Sequence, residues 1–229
     1  MTDVVNEPGA WPRRRARAAA TRAQILRAAT GLFLGHGYAA TTMPAIATAA
    51  GVSRATVFNS VGGKAAVLKA SYDVAVVGDG EPVPIFQRPE MQAMFSEPSP
   101  ERTLELYAAI IAGIGERISG LYEVFRAAAG ADPEIATLWQ QIQAERLVGA
   151  TQFVTMLRAK TPLRPGLDPA AAADIVWVHI DNGIYHRFVH ERGWSPEQFQ
   201  AWFTETLSAQ LFGRSVVLVA GRQPSPGPT

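Results

Sequence analysis

The sequence predicts an all-α chain in two units, an N-terminal group of short helices followed by a C-terminal helical bundle. Three observations carry that expectation. Leu104, Tyr107, Ile111, Ile114, Ile118, Leu121 and Phe125 recur at alternating three- and four-residue spacing, the stripe of a bundle helix. Asp132-Pro133, Asp168-Pro169 and Ser195-Pro196 read as helix starts, each a short polar side chain followed by a proline that the first turn tolerates. No segment demands a strand: Ser215 to Ala220 has the composition of one but no partner.

Taken in order, residues 1–12 are polar, with Pro8 and Pro12 and no period, and are expected to be a disordered arm. A helix follows from about Arg13 to His36, with Ile25, Ala28, Ala29, Leu32 and Phe33 on one buried face and Gly35 and Gly37 ending it. A fourth helix opens at Lys64 and runs to about Val77. Gly78 to Pro84 reads as a linker, and within 79–100 a short helix is expected near Pro89 to Phe95. The striped helix then runs from about Pro100 to Ala129. The next starts at Asp132, with Ile135, Leu138, Trp139, Ile142, Phe153 and Leu157 inward, and stops at Thr161 to Gly166. One continuous helix is expected from Pro169 to about Arg192, and a last one after Ser195 with Phe199, Trp202, Phe203, Leu207 and Leu211 inward. Residues 214–229 are Pro- and Gly-rich and are expected to be a disordered tail.

The stretch Thr42 to Lys64 holds the most specific local pattern. Thr42 caps a helix whose apolar face is Ile46 and Ala47. Gly51 stands where the chain must turn through positive φ, and Val52 plugs the turn. Ser53 caps the next helix, from Arg54 to Ser60, and Val57 faces back toward Ile46 and Ala47. That is a helix-turn-helix over 42–61, whose second helix is free to enter a DNA major groove.

Charge agrees with that pattern. The net charge is +1, but residues 1–64 hold eight Lys or Arg against two acids, leaving 13 basic against 18 acidic residues in the remainder. A basic N-terminal part on an acidic body suits a polyanion partner. With no cysteine, disulfides, thiolate metal sites and cysteine nucleophiles are excluded, and a cytoplasmic protein is expected. No apolar run approaches the ~18 residues that a membrane span needs, so no membrane partner is expected.

The block Thr21 to Lys69 resembles the DNA-binding domain of the TetR family of bacterial repressors. The resemblance rests on Arg22, Ile25-Leu26, Ala28-Ala29, Leu32-Phe33, Gly37, Thr41-Thr42, Ile46-Ala47, Ala50-Gly51-Val52-Ser53, Thr56-Val57, Lys64 and Leu68. Gly193-Trp194-Ser195-Pro196-Glu197 followed by Trp202 is similar to wording in such regulators. The resemblance implies an operator in double-stranded DNA, a homodimer formed by the helices at about 169–192 and 195–212, and a small-molecule effector held in the C-terminal unit. The division it implies is 13–78 for DNA binding and 101–213 for effector and dimer. It places Arg54 at a base edge, with Ala55 against a thymine methyl and Asn59 at an adenine or phosphate. Thr42, Thr56, Ser60 and Lys64 fall to phosphates, and Ser53 and Phe58 complete the DNA-facing set. The sequence departs from the family at Phe58, Ser60 and Val61, where tyrosine, histidine or another aromatic is usual, so a weaker grip on the backbone is expected there.

For an effector pocket, Tyr122, Arg126, Trp139, Trp177 and Asp181 are the candidates, and Asn182 is a second polar residue in an otherwise apolar helix. His186 and His190 are one helical turn apart, with His179 earlier, but surface or interface histidines are the plainer reading and no metal or cofactor is expected. No Gly-x-Ser-x-Gly, His-Glu-x-x-His or phosphate-binding glycine loop is present, and no catalytic residue is assigned. Two other classes stay open. One is a ligand- or metal-binding bundle without specific DNA binding. The other is an enzyme using the C-terminal cavity, for which Glu145 or Asp181 with a histidine is the only acid–base suggestion.

Overall fold

The first helix, α1 (Ala10–Ala40), lays Ile25, Leu26, Ala29 and Phe33 into the core and breaks its helical course only at Gly37, whose φ is 74°. The computed structural model describes residues 10–78, 83 and 85–213, with side chains from residue 14 onward. Residues 1–9 of the expected arm and the whole tail 214–229 lie outside those residues, as does part of the expected linker, while residues 10–12 of the expected arm belong to α1. At Gly37 the chain turns sharply, and Thr41 seals the turn by donating to the carbonyls of Leu32 and Gly37 at 3.2 and 2.7 Å.

Helices α2 (Met43–Ala49) and α3 (Arg54–Ser60) form the expected helix-turn-helix. Thr42 accepts the Ala45 N–H and Ser53 the Thr56 N–H, so each helix start has a side-chain cap. Gly51 takes φ 61° between them, and Ile46 and Val57 are fully buried against each other's helices. Two side chains of α1 brace the pair: Gln24 donates to the Ala50 carbonyl at 2.8 Å and Arg22 to the Ser60 carbonyl at 3.0 Å. Both bonds satisfy carbonyls at helix C-termini that lack an intrahelical partner. Helix α4 (Lys64–Val77) ends at left-handed Gly78, and Arg117 donates to the carbonyls of Ala75 and Val76, both at 2.9 Å.

A short 3-10 turn (Ile85–Gln87) leads into α5 (Pro89–Ser96), and α6 (Pro100–Ala129) follows. At about 1.5 Å per residue its 30 residues span about 45 Å. Helix α7 (Pro133–Arg158) is capped by Asp132 and α8 (Pro169–His179) by Asp168. Helix α10 (Pro196–Phe212) opens with a reciprocal capping box between Ser195 and Gln198 and buries Phe199, Phe203, Leu207 and Leu211 completely. Among the described residues the structure is helical and has no strand.

The helix expected to run unbroken from 169 to 192 is interrupted. Ile180 and Asp181 leave the helical course, and the chain resumes as a four-residue α9 (Asn182–Tyr185) that widens into a π-helical turn (His186–Glu191). The cause is Asp181. Its Oδ1 accepts the Gly183 N–H at 2.8 Å, the action of an N-cap, and an aspartate capping a new start competes with helix continuation.

Two buried clusters share α6. One joins α1–α4 to Ile118, Leu121, Tyr122 and Phe125 and reaches Ile135 and Ile142 of α7. The other joins Leu104, Tyr107 and Ala112 to α5, α8, α10 and the C-terminal half of α7. Core packing therefore runs across the boundary between the N-terminal helices and the bundle.

Gly115 marks the closest approach in this packing, because a Cβ there would lie 2.6 Å from Tyr185 Cγ. Gly115→Ala is expected to lower the free energy of unfolding by about 1–3 kcal/mol in urea titrations. Gly149→Ala, where α7 borders an internal cavity and nothing lies within 4 Å of the added carbon, is expected to raise it by about 0.5–1 kcal/mol.

Candidate nucleic-acid interface and internal cavity

The seven residues of α3 divide cleanly. Val57 is buried in the helix-turn-helix core, while Arg54, Ala55, Phe58 and Asn59 are exposed on the opposite face. Their spacing of one and four residues is that of one side of a helix. Phe58, 63 % exposed, is the most exposed large apolar side chain among the described residues.

The residues expected at phosphates are placed differently. Thr42 and Ser53 are exposed but engaged as caps, and Thr56 pairs its hydroxyl with that of Ser53 at 2.8 Å. The Ser60 carbonyl receives Arg22. Lys64 turns inward: its Nζ donates to the Tyr38 carbonyl at 3.0 Å and lies 4.0 Å from the centre of the Tyr38 ring. Burial, reinforced by Asp132 and Glu134, pushes the Tyr38 hydroxyl up to about 12, so the ring beneath Lys64 stays neutral. Arg14, Arg15 and Arg17 are exposed along the N-terminal turns of α1.

The second feature is a cavity of about 470 Å³ at the seam between the two core clusters. Ile111 and Ile114, the middle of the α6 stripe, line it, each packed on one side against one of the two clusters. Tyr72 and Val76 of α4, Met91 and Met94 of α5, and Ile142, Arg146 and Phe153 of α7 complete most of the wall, with Asn182 at the broken helix. The lining is overwhelmingly apolar, with a few placed polar groups, the usual make-up of a small-molecule site.

None of the five residues expected at a pocket lines this cavity. Four of them meet behind its wall, around Arg146. The Arg146 guanidinium donates to the Tyr122 hydroxyl at 3.1 Å, to Gln143 and to the Trp177 carbonyl at 2.7 Å, and lies 3.2 Å from Asp181 Oδ2. Tyr122 donates to the same Asp181 oxygen at 2.6 Å, and Trp139 packs on the Tyr122 ring. Burial raises the Tyr122 pKa against the opposing effect of Arg146, which keeps the hydroxyl a donor. Arg126 stands apart, exposed and paired with Glu123. Arg146 was missed because a lone arginine on a helix ordinarily reads as a solvated one.

Neither carboxylate weighed for acid–base work sits with a histidine. Asp181 is occupied by Tyr122, Arg146 and Gly183, and Glu145 lies 3.8 Å from Lys69. The His186 and His190 rings are 5.1 Å apart, His190 Nε2 is 3.1 Å from Ser119 Oγ, and His179 bonds the Ile175 carbonyl. Among the described residues no three potential ligand side chains are grouped as a metal requires. Nor is any helix there long and apolar enough to cross a membrane.

Comparison with known proteins matches residues 25–71 to the model of the bacterial regulatory proteins of the tetR family. Solved structures share the fold. FadR from Bacillus subtilis in complex with stearoyl-CoA is 17 % identical with a TM-score of 0.63, covering 82 % of this chain and 98 % of that one. NalD of Pseudomonas aeruginosa, a repressor of the MexAB-OprM multidrug efflux pump, is 20 % identical with a TM-score of 0.61, covering 84 % and 97 %. SmeT of Stenotrophomonas maltophilia, in its triclosan complex, is 24 % identical with a TM-score of 0.63, covering 92 % and 100 %. None of the curated proteins compared matches the chain.

Arg146→Met is expected to leave Asp181 without its cation and to destabilise the fold by about 2–3 kcal/mol in urea unfolding, less than a wholly buried pair because the Asp181 side chain is 32 % exposed.

Proposed function

We propose that this chain, a member of the tetR family of bacterial regulatory proteins through its residues 25–71, is a cytoplasmic, homodimeric transcriptional repressor that a small molecule releases from its operator. The observation that carries the reading is the division of α3. Val57 is committed to the core and Arg22 fixes the helix end, while Arg54, Ala55, Phe58 and Asn59 face outward with no structural duty. In this reading each subunit puts α3 into a major groove. The half-sites lie about 34–36 Å apart, one turn of the duplex. Arg54 reads a guanine edge through two donors, Ala55 and Phe58 meet thymine methyls or sugar, and Asn59 reads an adenine or a phosphate. Thr42, Ser53, Thr56 and Ser60 line the flanking backbone, and Lys64 joins them on leaving the Tyr38 carbonyl.

Residues 13–78 act as the reading unit and 101–213 as the effector and dimer unit. The dimer forms through the segments at about 169–192 and 195–212, where Val178 already exposes half of its surface. The effector enters the 470 Å³ cavity. FadR and SmeT were solved with stearoyl-CoA and triclosan, and this cavity supports the same use of the fold here. Its wall includes Tyr72 and Val76 of α4, and Arg117 fixes the end of α4 to α6. A ligand that spreads this seam moves α4, and α4 carries the reading unit with it. A coupling of ~1–3 kcal/mol lowers DNA affinity several-fold to more than a hundredfold.

The test is anisotropy with double-stranded DNA enriched from a random pool by the purified protein, at two salt concentrations. Two subunits are expected per duplex, with affinity falling steeply as salt rises, because neutralised phosphates release counterions. Arg54→Ala is expected to cost about 1–3 kcal/mol and to relax the preference at one base pair of each half-site. Unchanged affinity and preference in Arg54→Ala would contradict the assignment of α3, and no DNA binding at low salt would contradict the regulator reading.

A further inference from the structure

We infer that the cavity selects an uncharged, mainly apolar molecule bearing a hydrogen-bonding group, and rejects carboxylates of the same size. The inference rests on the reading of this cavity as the effector site and names the chemistry of what fills it.

Three polar residues at the wall are nine-tenths or more buried: Tyr72, Tyr107 and Asn182, exposed by 4, 6 and 6 %. All three line the cavity. Among the described residues, neither tyrosine hydroxyl and no atom of the Asn182 carboxamide makes a side-chain hydrogen bond within the protein. Their placement is otherwise well determined. The Tyr107 ring is stacked on Phe153 with centroids 3.7 Å apart, Tyr72 packs edge-on against Phe125, and Asn182 opens α9 directly after its cap. Buried polar groups that find no partner in the protein are satisfied by water or by a ligand. Two hydroxyls and a carboxamide both donate and accept, so alcohol, phenol, ketone, ester and amide groups all suit them.

Charge supplies the selectivity. Among the described residues Arg146 is the one cation at the wall, and Asp181 already balances it at 3.2 Å while Tyr122, Gln143 and the Trp177 carbonyl accept from its two terminal nitrogens. Its Nε has no partner but is so completely buried that a molecule in the cavity does not reach it. Glu145, the other charged residue of the wall, is an anion. Burial raises the hydroxyl pKa of Tyr72 and of Tyr107, so both remain neutral donors at physiological pH. A carboxylate in this space finds no unspent positive charge, and burying an unpaired anion is strongly unfavourable.

The test uses 1-decanol and decanoate, matched in length, titrated calorimetrically into the full chain at neutral pH. Decanol is expected to bind at least about tenfold more tightly, the gap produced when a buried charge or polar group goes unpaired. Tyr107→Phe combined with Asn182→Leu is expected to weaken decanol at least about fivefold while the melting temperature of the unliganded protein holds, since neither side chain bonds within the protein. Decanoate binding as tightly as decanol, or no saturable binding of either, overturns the inference. If the double variant does not fold, the comparison on the unmodified chain decides alone. Anisotropy of bound DNA separates the two claims. Decanol that binds selectively without weakening DNA affinity overturns the effector reading and keeps the selectivity. Decanoate that binds more tightly and releases DNA does the reverse.

Discussion

The apolar stripe of α6 has to be covered along about 45 Å, and different neighbours cover its two ends while α7 runs past both. At one end α5, α8 and α10 pack on Leu104, Tyr107 and Ala112, and at the other α1 and α4 pack on Ile118, Leu121 and Phe125. Between them Ile111 and Ile114 face a cavity. Opening a seam in a core normally costs stability, because apolar surface loses its contacts. Here the seam lies where the helices around the helix-turn-helix meet the bundle.

The broken helix after α8 depends on the same region. Asp181 ends α8 by capping α9, and its carboxylate also holds Tyr122 of α6 and Arg146 of α7. One aspartate thus ties three segments around the cavity wall. Close by, Gly115 lets Tyr185 press against α6, where its side chain is buried. On the other side Arg117 grips the last carbonyls of α4. The wall is therefore built of parts that are individually fixed but joined across a space, which is the geometry in which a small displacement is passed on instead of absorbed.

The sequence made local features legible and left partnered ones hidden. Thr42, Gly51 and Ser53 announce the helix-turn-helix because caps and left-handed turns are decided within four residues. The α6 stripe follows from its period, as do the starts at Asp132, Asp168 and Ser195. Which stripe residues would be packed and which would face a void depends on neighbours far along the chain, and periodicity carries no such information. Asp181-Asn182-Gly183 holds a turn signal inside an apolar pattern that otherwise reads as one helix. Lys64 was expected at a phosphate from its place at a helix start, and the Tyr38 carbonyl and ring hold it instead. Arg146 could not have been found, since its partners come from α6, α8 and the turn before α9.

The coupling between cavity and reading surface can be measured without knowing the effector. Ile114→Trp places a bulky side chain in the cavity from the α6 side and imitates permanent occupancy. DNA enriched by the unmodified protein is then titrated with the variant by anisotropy, at fixed salt, alongside a circular dichroism melt. Loss of affinity by about 5- to 150-fold with the fold retained is the predicted result. Unchanged affinity in a folded variant whose cavity is filled would show that the seam and the α3 surface are independent.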